Sequence, residues 1–486
     1  MTLLTKSKYL AGLQCPKQLW IQMNEKDLIP EIDAATQKLF DVGSKVGELA
    51  TKIYPNGIKV TEKGFIENIN QTKELLKENK PLFEAGFMTS NLFSRADILA
   101  PNKDGYDIIE VKSSTQVKDV NIHDVSFQKH VYELKGLKIN KCYLMFINNE
   151  YVKQGEIDPE KLFKKEDITE LVNEYSQGIQ ERIDEMLEVI KKEKPNTPIG
   201  KHCDDPYACP LKSICWSHVP KNSVFTLTRG GKRSWNLYNS NILKIKDIPD
   251  DFKLSAKQEI QKNCEINETV HIDKKAINKF LQTLEYPIYY FDFEIINPCL
   301  PLYDGMKPYK RIPFQYSLHV QEKPDGKVKH ISFLADHNKD PRKQILESMK
   351  QTLGSKGTIL AWNESFEKGV IKELIEYYPE YKDWGEKIIE RFNDLIIPFR
   401  NYAYYNPVQE GSSSIKKVLP ALTNLSYEEL DIANGSDASN AYENLCTKEV
   451  PHEQVEKIRS DLEKYCELDT LAEVEILKAL KEIVEK

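Results

Sequence analysis

Residues 286–294 read YPIYYFDFE, an apolar run that ends in two acidic side chains. Aromatic and β-branched residues of this kind predict a buried strand over residues 288–295. Because side chains alternate along a strand, Asp292 and Glu294 point to the same face. Two like charges on a buried face are costly unless a cation binds them. This stretch therefore predicts a sheet strand that carries metal ligands.

The same α/β pattern continues from this strand to the C-terminus. The expected elements are strands over residues 313–320 and 358–362 and helices over residues 364–377 and 452–484. The first of these strands is the expected hairpin partner of the strand with the two acids. Glu367 falls near the start of the first helix. Tyr465 and Asp469 lie four residues apart on the second helix, so they share one face.

A different α/β pattern precedes it in the N-terminal half. The expected elements there are strands over residues 92–99, 106–111 and 141–147 and helices over residues 120–134 and 171–192. The stretch between the two patterns contains lysine, glycine, asparagine and serine residues. The sequence therefore predicts two α/β domains, over residues 1–220 and 284–486, joined by a partly helical connecting region over residues 221–283.

The N-terminal pattern also contains a set of acids and a lysine. Glu110 and Lys112 lie two residues apart at a strand end, on one face, and Asp97 on the neighbouring strand can reach the same point. Two carboxylates there can hold a magnesium ion on a phosphate, and the lysine can steady the attacking water or the developing charge. Gln128 and Tyr132 follow, one helical turn apart.

Three of the nine cysteines are evenly spaced. Cys203, Cys209 and Cys215 have five residues between neighbours, and Cys15 is a candidate for a fourth ligand. An odd number of cysteines in a large chain without a secretory signal argues against disulfides and favours metal ligation. Spacing alone leaves three alternatives: buried structural cysteines, a zinc ion or an iron–sulfur cluster.

The composition is that of an ordinary globular protein. Of 486 residues, 40% are hydrophobic and 29% charged, and the formal net charge is -7. The charge gives no overall basic field to attract nucleic acid, although carboxylate-rich metal sites contribute to the negative total. No apolar run approaches the length of a membrane span. We therefore expect a cytoplasmic protein without a membrane partner.

The features of residues 1–220 together resemble the RecB-like branch of the PD-(D/E)XK nucleases, especially its iron–sulfur members. Those include the CRISPR-associated RecB-like exonucleases and AddB. In that group one cysteine lies far upstream, three follow the nuclease core, and together they staple the domain around a [4Fe–4S] cluster. The resemblance implies a restriction-endonuclease-like fold with an iron–sulfur staple held by Cys15, Cys203, Cys209 and Cys215.

The resemblance also implies roles for the polar residues of that half. Asp97, Glu110 and Lys112 correspond to the catalytic set, with Asp97 and Glu110 as ligands of Mg²⁺ or Mn²⁺. Gln128 and Tyr132 match the motif that orients the lysine or the substrate.

One position departs from that pattern. The related nucleases often carry a histidine on an early helix, where this chain has Gly47. Two outcomes are open: Glu48 or Glu84 takes over the role of the histidine, or the site works with fewer ligands.

Residues 284–480 resemble the DnaQ-like DEDD exonucleases of the subgroup whose last motif carries tyrosine. Asp292 and Glu294 correspond to the first motif, and Glu367 lies where the second usually has aspartate. Asp469 is the last carboxylate, and Tyr465 is the residue that orients the attacking water. The resemblance implies a ribonuclease H-like mixed sheet with helices. It also implies that Asp292, Glu294, Glu367 and Asp469 bind two metal ions about 3.5–4 Å apart.

The whole arrangement resembles bacterial proteins that fuse a RecB-like iron–sulfur nuclease to a DnaQ-like exonuclease. It implies a metal-dependent nuclease with two sites, one of them a 3′-to-5′ exonuclease. DNA is the expected partner rather than RNA, with single-stranded ends as a suitable form, and the oligomeric state is open. The alternative is a nucleic-acid-binding or redox-sensing iron–sulfur protein in which one or both nuclease sites are degenerate.

Overall fold

The computed structural model describes residues 3–427, 430–432 and 434–486. The protein has an α/β fold with mixed sheets, and the chain divides into two compact units. The first unit runs to His218 and also includes Cys299–Tyr309, whereas the second comprises Val219–Pro298 and Lys310–Lys486. Within the described ranges, no helix has both the length and the apolar character needed to cross a membrane.

The described residues of the first unit form a seven-stranded sheet. Its strands are β1 (Leu4–Thr5), β2 (Ile58–Lys59), β3 (Leu82–Met88), β4 (Leu92–Asn102), β5 (Gly105–Lys112), β6 (Ile139–Ile147) and β7 (Phe163–Asp167). The order is β2-β3-β4-β5-β6-β7, and β1 pairs with β4. Strands β4 and β5 form the expected antiparallel hairpin, and β5 and β6 are parallel. A parallel pair requires a crossover, which a helix provides here.

Helices precede, separate and follow the strands of the first unit along the chain. They are α1 (Lys6–Gln14), α2 (Pro16–Asn24), α3 (Ala34–Thr51), α4 (Phe65–Leu75), α5 (Asp119–Leu134), α6 (Pro159–Leu162), α7 (Thr169–Tyr175), α8 (Ile179–Lys191) and α9 (Lys212–Cys215). Helix α5 is the crossover between β5 and β6, and it buries Phe127 and Val131 completely. These elements confirm the predicted strands and the predicted helix over residues 120–134.

One predicted helix of this unit is wrong in its extent. Residues 171–192 were expected to form a single amphipathic helix, but they form most of α7 and α8 with a break between them. Gly178 in the break has a φ of +66°, a left-handed conformation that ends a helix and that glycine adopts without steric cost. The apolar periodicity continues across the break, so it does not reveal the interruption.

The described part of the second unit contains a five-stranded sheet and a two-stranded one. The strands are β8 (His271–Ile272), β9 (Ile288–Ile296), β10 (Ile312–Gln321), β11 (Val328–Leu334), β12 (Thr358–Ala361), β13 (Phe392–Asp394) and β14 (Tyr404–Tyr405). The larger sheet has the order β11-β10-β9-β12-β13, and β14 pairs with β8. Strand β9 lies at the centre, antiparallel to β10 and parallel to β12. The strand with the two acids is therefore paired on both edges.

Ten helices precede, separate and follow the strands among the described residues of the second unit. They are α10 (Lys232–Asn239), α11 (Ala256–Asn267), α12 (Lys274–Leu281), α13 (Arg342–Thr352), α14 (Glu364–Tyr377), α15 (Lys382–Glu390), α16 (Ile397–Arg400), α17 (Ile415–Leu422), α18 (Gly435–Thr447) and α19 (His452–Glu485). The long helix α19 packs on β9 and β10. The predicted strands and helices of this half are confirmed. Residues 221–283, expected as a connecting region, fall within the second unit.

The connection between β9 and β10 is longer than the expected hairpin. The strands pair in an antiparallel ladder, but Cys299–Tyr309 between them belongs to the first unit. There the backbone N–H of Gly305 donates to Lys153 O at 2.8 Å, and the Lys153 N–H donates to Met306 O at 2.9 Å. The chain thus contributes a short segment to the first unit before it returns to the second.

Candidate functional site

Three carboxylates converge in the second unit. Asp292 and Glu294 stand two residues apart on β9, and Asp469 lies on α19. One oxygen of each carboxylate lies within 4.8 Å of an oxygen of the other two. Glu294 and Asp469 are buried, and Asp292 is partly exposed. The acidic face expected from strand alternation therefore meets a third acid from a helix far along the chain.

Two tyrosines lie beside Asp469. The Tyr427 hydroxyl donates a hydrogen bond of 2.7 Å to Asp469 Oδ1. Tyr465 lies one helical turn before Asp469 on the same helix, and its ring centre lies 6.3 Å from that of Tyr427. The Lys416 ammonium is 5.3 Å from the Tyr427 ring and 5.4 Å from the Tyr465 ring. Both hydroxyls and one cation thus surround a single acid.

Two further acids extend the cluster. Glu367 lies in the first turn of α14, and Glu473 follows Asp469 by one turn of α19. Both side chains are almost fully buried. Glu367 Oε2 and Glu473 Oε2 have no hydrogen-bond partner among the described residues. Buried carboxylate oxygens without partners are costly, and they suit a bound cation.

The acids raise one another's pKa values. Burial, followed by the charges of Asp469 and Glu294, raises the pKa of Asp292 well above its usual value. Burial and Asp469 do the same for Glu294. Burial raises the pKa of Asp469 to about 6, although the Tyr427 hydrogen bond and the charge of Lys416 oppose the shift. Burial and the charge of Asp394 raise the pKa of Glu367 to about 8. All four groups resist ionisation as long as no cation compensates them.

The donor set fits hard divalent cations. Magnesium and manganese favour carboxylate oxygens, and the site offers carboxylates on three separate elements, β9, α14 and α19. A bound cation also reverses the electrostatics, because it stabilises the ionised carboxylates that now repel one another. The arrangement can therefore bind metal ions and place a hydroxyl-bearing side chain beside them.

The acid set of the first unit is organised differently, because lysines neutralise it. Lys112 Nζ lies 2.6 Å from Glu110 Oε1 and 2.9 Å from Asp124 Oδ2. Lys6 Nζ lies 2.8 Å from Glu110 Oε1. Burial and Asp97 act to raise the pKa of Glu110, but the two lysines outweigh them and lower it. The negative charges of this site are therefore compensated by lysines of the same unit.

The other predicted residues of the first unit take distinct positions. Asp97 Oδ2 accepts a 2.7 Å hydrogen bond from the Val111 N–H beside Glu110. Gln128 Nε2 donates to Glu110 Oε2 at 2.6 Å, so it orients a carboxylate rather than the lysine. Tyr132 is fully buried, accepts a hydrogen bond from Ala96 N–H and donates one to Ala85 O, both at 2.7 Å. Its hydroxyl thus bridges the paired strands β3 and β4 at Ala85 and Ala96.

A groove of about 800 Å³ opens over this acid set. Asp97, Glu110 and Lys112 line it together with residues of helix α3. Gly47 lies in the wall, and a Cβ placed on it would meet no atom within 4 Å. Glu48 and Glu84 also line the groove. The space for a histidine side chain is therefore present, and two carboxylates stand nearby.

Four cysteines line one cavity of the first unit: Cys15, Cys203, Cys209 and Cys215. Burial raises the pKa of the Cys15 and Cys209 thiols, and neighbouring cysteines raise these pKa values further. The Gly200 N–H approaches Cys203 Sγ at 3.5 Å. Four sulfur donors around one cavity match the ligand set of a [4Fe–4S] cluster and also that of zinc. All nine cysteines lie in the described part of the chain, and none forms a disulfide.

Sequence reasoning missed several residues of these sites. Glu473 follows Asp469 by four residues, the spacing that links Tyr465 to Asp469, so helical periodicity would have found it. Asp124 precedes Gln128 by four residues on the same helix, so helical periodicity would have found it as well. Tyr427 and Lys6 had no local signal, because each reaches its acid from a remote part of the sequence.

Comparison with known proteins gives a match to one family model, described as a domain of unknown function (DUF2779), over residues 289–414. The matched segment runs from β9 into the loop before α17. It includes Asp292, Glu294 and Glu367, and it ends before Tyr465 and Asp469.

Two curated relatives are uncharacterized proteins of Mycoplasma and Ureaplasma. The chain is similar to the uncharacterized protein MG366 homolog of Mycoplasma pneumoniae, with 27% identity over 236 residues, 44% of this chain and 36% of that protein. It is also similar to the uncharacterized protein UU173 of Ureaplasma parvum, with 26% identity over 245 residues, 45% of this chain and 35% of that protein. The match spans about a third of the length of these relatives.

Proposed function

We propose that the protein hydrolyses phosphodiester bonds of nucleic acid, and that its second unit is a metal-dependent 3′-to-5′ exonuclease of ribonuclease H-like fold. The observation that carries this proposal is the convergence of Asp292, Glu294 and Asp469, whose oxygens lie within 4.8 Å of one another. Three carboxylates this close, with raised pKa values, gain most from divalent cations.

Each residue has a chemical role in this proposal. Asp292, Glu294 and Asp469 would hold Mg²⁺ or Mn²⁺, with Glu367 as the fourth carboxylate of the set. The bound ions would supply charge neutralisation at the scissile phosphate and favour ionisation of the attacking water. The Tyr465 hydroxyl, on the same face of α19 as Asp469, would orient that water. Tyr427 fixes the Asp469 carboxylate from its other side.

For the first unit we propose a second phosphodiester-hydrolysing site of PD-(D/E)XK type, built on Asp97, Glu110 and Lys112. The groove supports the proposal, since Asp97, Glu110 and Lys112 all line it. A second candidate role is a nucleic-acid-binding platform without catalysis. The ion pairs from Lys6 and Lys112 to Glu110 favour it, because they neutralise a carboxylate that a metal ion would otherwise require.

We propose that the four-cysteine cavity holds a [4Fe–4S] cluster that staples the first unit, with zinc as the alternative. Cys15 precedes α2 near the N-terminus, whereas the other three cysteines follow α8, so a shared metal centre ties the two ends of the unit together. Nine cysteines without a disulfide fit a reducing compartment, and we propose the cytoplasm. The proposed substrate is DNA with single-stranded ends.

A digestion assay tests the proposal directly. Single-stranded DNA, double-stranded DNA and RNA are incubated with the wild-type chain in magnesium, manganese or EDTA. Asp292→Ala should remove the 3′-directed activity and leave that of the first unit, and Lys112→Ala should do the reverse. Asp325→Ala, on an exposed turn, is the matched control and should behave as wild type.

The possible results separate the two units. If no substrate is hydrolysed under any metal condition, the proposed function is wrong. If one substitution abolishes all hydrolysis, only that unit is catalytic, and the other serves as a binding platform.

A further inference from the structure

We propose that the second unit carries a separate transition-metal site, formed by His319, His330 and Glu467, which binds Zn²⁺. One ring nitrogen of each histidine and one oxygen of Glu467 all lie within 4.8 Å of one another. The inference rests on this geometry and on the hydrogen bonds around it. It does not depend on the proposed nuclease activity.

The two histidines face each other across neighbouring strands. His319 on β10 is the direct pairing partner of His330 on β11. Their rings stack with centres 4.6 Å apart. Glu467 reaches the pair from α19, and its Oε1 lies 3.5 Å from His330 Nδ1. Three possible metal-ligand atoms, from two strands and one helix, thus lie close together.

A chain of hydroxyl groups connects the two rings, and we assign the tautomers from it. The backbone carbonyl of Glu467 can only accept, and it lies 3.2 Å from the Thr470 hydroxyl, so we assign the single Thr470 proton to it. The Thr470 hydroxyl oxygen lies 2.6 Å from the Ser317 hydroxyl and 2.8 Å from His319 Nδ1. In this assignment Ser317 donates to Thr470, and His319 carries its proton on Nδ1.

The same reasoning applies to the second ring. Because the Ser317 proton points to Thr470, its oxygen accepts from His330 Nε2, 3.0 Å away. Both protons are thus turned toward hydroxyl groups. The nitrogens left with bare lone pairs are His319 Nε2 and His330 Nδ1.

This is the arrangement of metal-binding histidines, whose second ring nitrogen is usually held by a hydrogen-bonding partner. Two imidazoles and one carboxylate, with water as a fourth ligand, suit tetrahedral zinc, whereas magnesium prefers oxygen ligands.

The position of the site suggests what the ion does. Glu467 lies between Tyr465 and Asp469 on α19, and Thr470 directly follows Asp469. On the sheet, Ser317 is the pairing partner of Asp292. A zinc ion here would tie α19 to β10 and β11 next to the acid cluster. It therefore has a structural role, and zinc binding should raise the thermal midpoint of the second unit.

The test is a zinc titration of the full chain in excess magnesium, which keeps the carboxylate site occupied by a hard cation. Removal of one ligand in His330→Asn or Glu467→Gln should abolish one equivalent of zinc binding or weaken it by at least about 100-fold. Glu467 is 49% exposed, so Glu467→Gln is expected to fold. His452→Asn, an exposed histidine on the same helix, is the matched control and should bind as wild type.

Two results would overturn the site. The first is unchanged zinc stoichiometry and affinity in His330→Asn and Glu467→Gln. The second is loss of the zinc equivalent in Asp292→Asn with the histidine variants unaffected, since the ion would then lie on the acids. Zinc bound by the cysteines is common to every variant and cancels in the comparison. The zinc titration measures binding and does not require hydrolysis. The zinc site can therefore be confirmed or refuted whether or not the nuclease proposal is correct.

The hydroxyl chain has its own test. Thr470→Val has nearly the same shape but removes the oxygen that accepts from His319 and Ser317. It should weaken zinc binding by about 10- to 100-fold, the range for partners behind a metal ligand, whereas Thr470→Ser should keep wild-type affinity. Equal affinities for Thr470→Val and wild type would contradict the tautomer assignment.

Discussion

The Tyr427 hydroxyl donates a 2.7 Å hydrogen bond to Asp469 Oδ1, although 42 positions separate the two residues in the chain. Both groups are buried, so the bond is shielded from water. It holds the carboxylate in one orientation and stabilises its ionised form. A carboxylate oriented in this way is a better metal ligand than a freely rotating one.

Loss of this bond should impair the second unit at low metal concentration. Tyr427→Phe keeps the ring and removes the hydroxyl, so the expected effect is about 10- to 100-fold weaker magnesium activation, with recovery at high metal. Magnesium dependence of hydrolysis measures it. Tyr381→Phe removes a hydroxyl that lies 3.4 Å from Glu347 at the surface, and it is the matched control. Identical magnesium curves for Tyr427→Phe and wild type would contradict the role.

Polarity of the second site is a further prediction. If the second unit is the proposed 3′-to-5′ exonuclease, an oligonucleotide labelled at its 5′ end should give a ladder of shortening products in a Lys112→Ala background. Gel electrophoresis over a time course shows the ladder. Immediate release of the 5′ label as a mononucleotide would show the opposite polarity.

Tyr465→Phe should separate turnover from binding. The change removes the hydroxyl beside Asp469 and no metal ligand, so kcat should fall by on the order of 100-fold while KM stays near the wild-type value. Steady-state kinetics on single-stranded DNA measure both constants. Asp469→Asn removes a ligand charge and should be worse, with partial rescue by manganese. Full activity of Tyr465→Phe would leave the water without an orienting residue and refute the assignment.

Stability of the metal-free protein should fall as pH rises. Folding raises the pKa of Asp469 to about 6 and that of Glu367 to about 8, so the native state binds more protons than the unfolded state. Stability from these protonated groups is complete below the unfolded values near pH 4 and is lost as pH rises through about 6 and 8. The thermal midpoint in EDTA should therefore decrease from pH 5 to pH 8.

Metal and substitution controls follow from the same argument. Magnesium should raise the midpoint more at pH 8 than at pH 5, because it binds the ionised carboxylates. Asp292→Asn removes one of the repelling charges and should flatten the decrease in EDTA. A midpoint that rises with pH in EDTA would contradict the repulsion among these acids.

The cysteine cavity predicts a coloured protein. Anaerobically purified chain should be brown, absorb near about 400 nm and contain iron and sulfide. Cys209→Ala should lose the colour and lower the thermal midpoint, because metal binding is coupled to folding. Cys142→Ala changes a buried cysteine of β6 outside the cavity and should keep the colour. Colourless wild-type protein with one equivalent of zinc would replace the cluster by zinc on the same ligands.

Local periodicity was enough to predict a large part of each site. Alternation along β9 places Asp292 and Glu294 on one face, and the helical repeat places Tyr465 and Asp469 on another. The strands and most helices followed from the same two periods, because each residue's face depends only on its spacing along its own element. Gly178 shows the limit, since one left-handed residue divides a helix without disturbing the apolar repeat.

Tertiary structure decided which charges meet. The sequence does not indicate that Lys6 reaches Glu110 across 104 positions, or that Tyr427 reaches Asp469. It also does not indicate that His319 and His330 lie opposite each other, because that pairing depends on the register of β10 and β11. Burial and ion pairing are properties of packed neighbours, and distant neighbours are fixed only when sheet order and helix docking bring them together. For this reason, only the folded chain distinguishes the two sets of acids. Lysines neutralise the set in the first unit, whereas the acids of the second unit have strongly raised pKa values. In the sequence the two sets look alike.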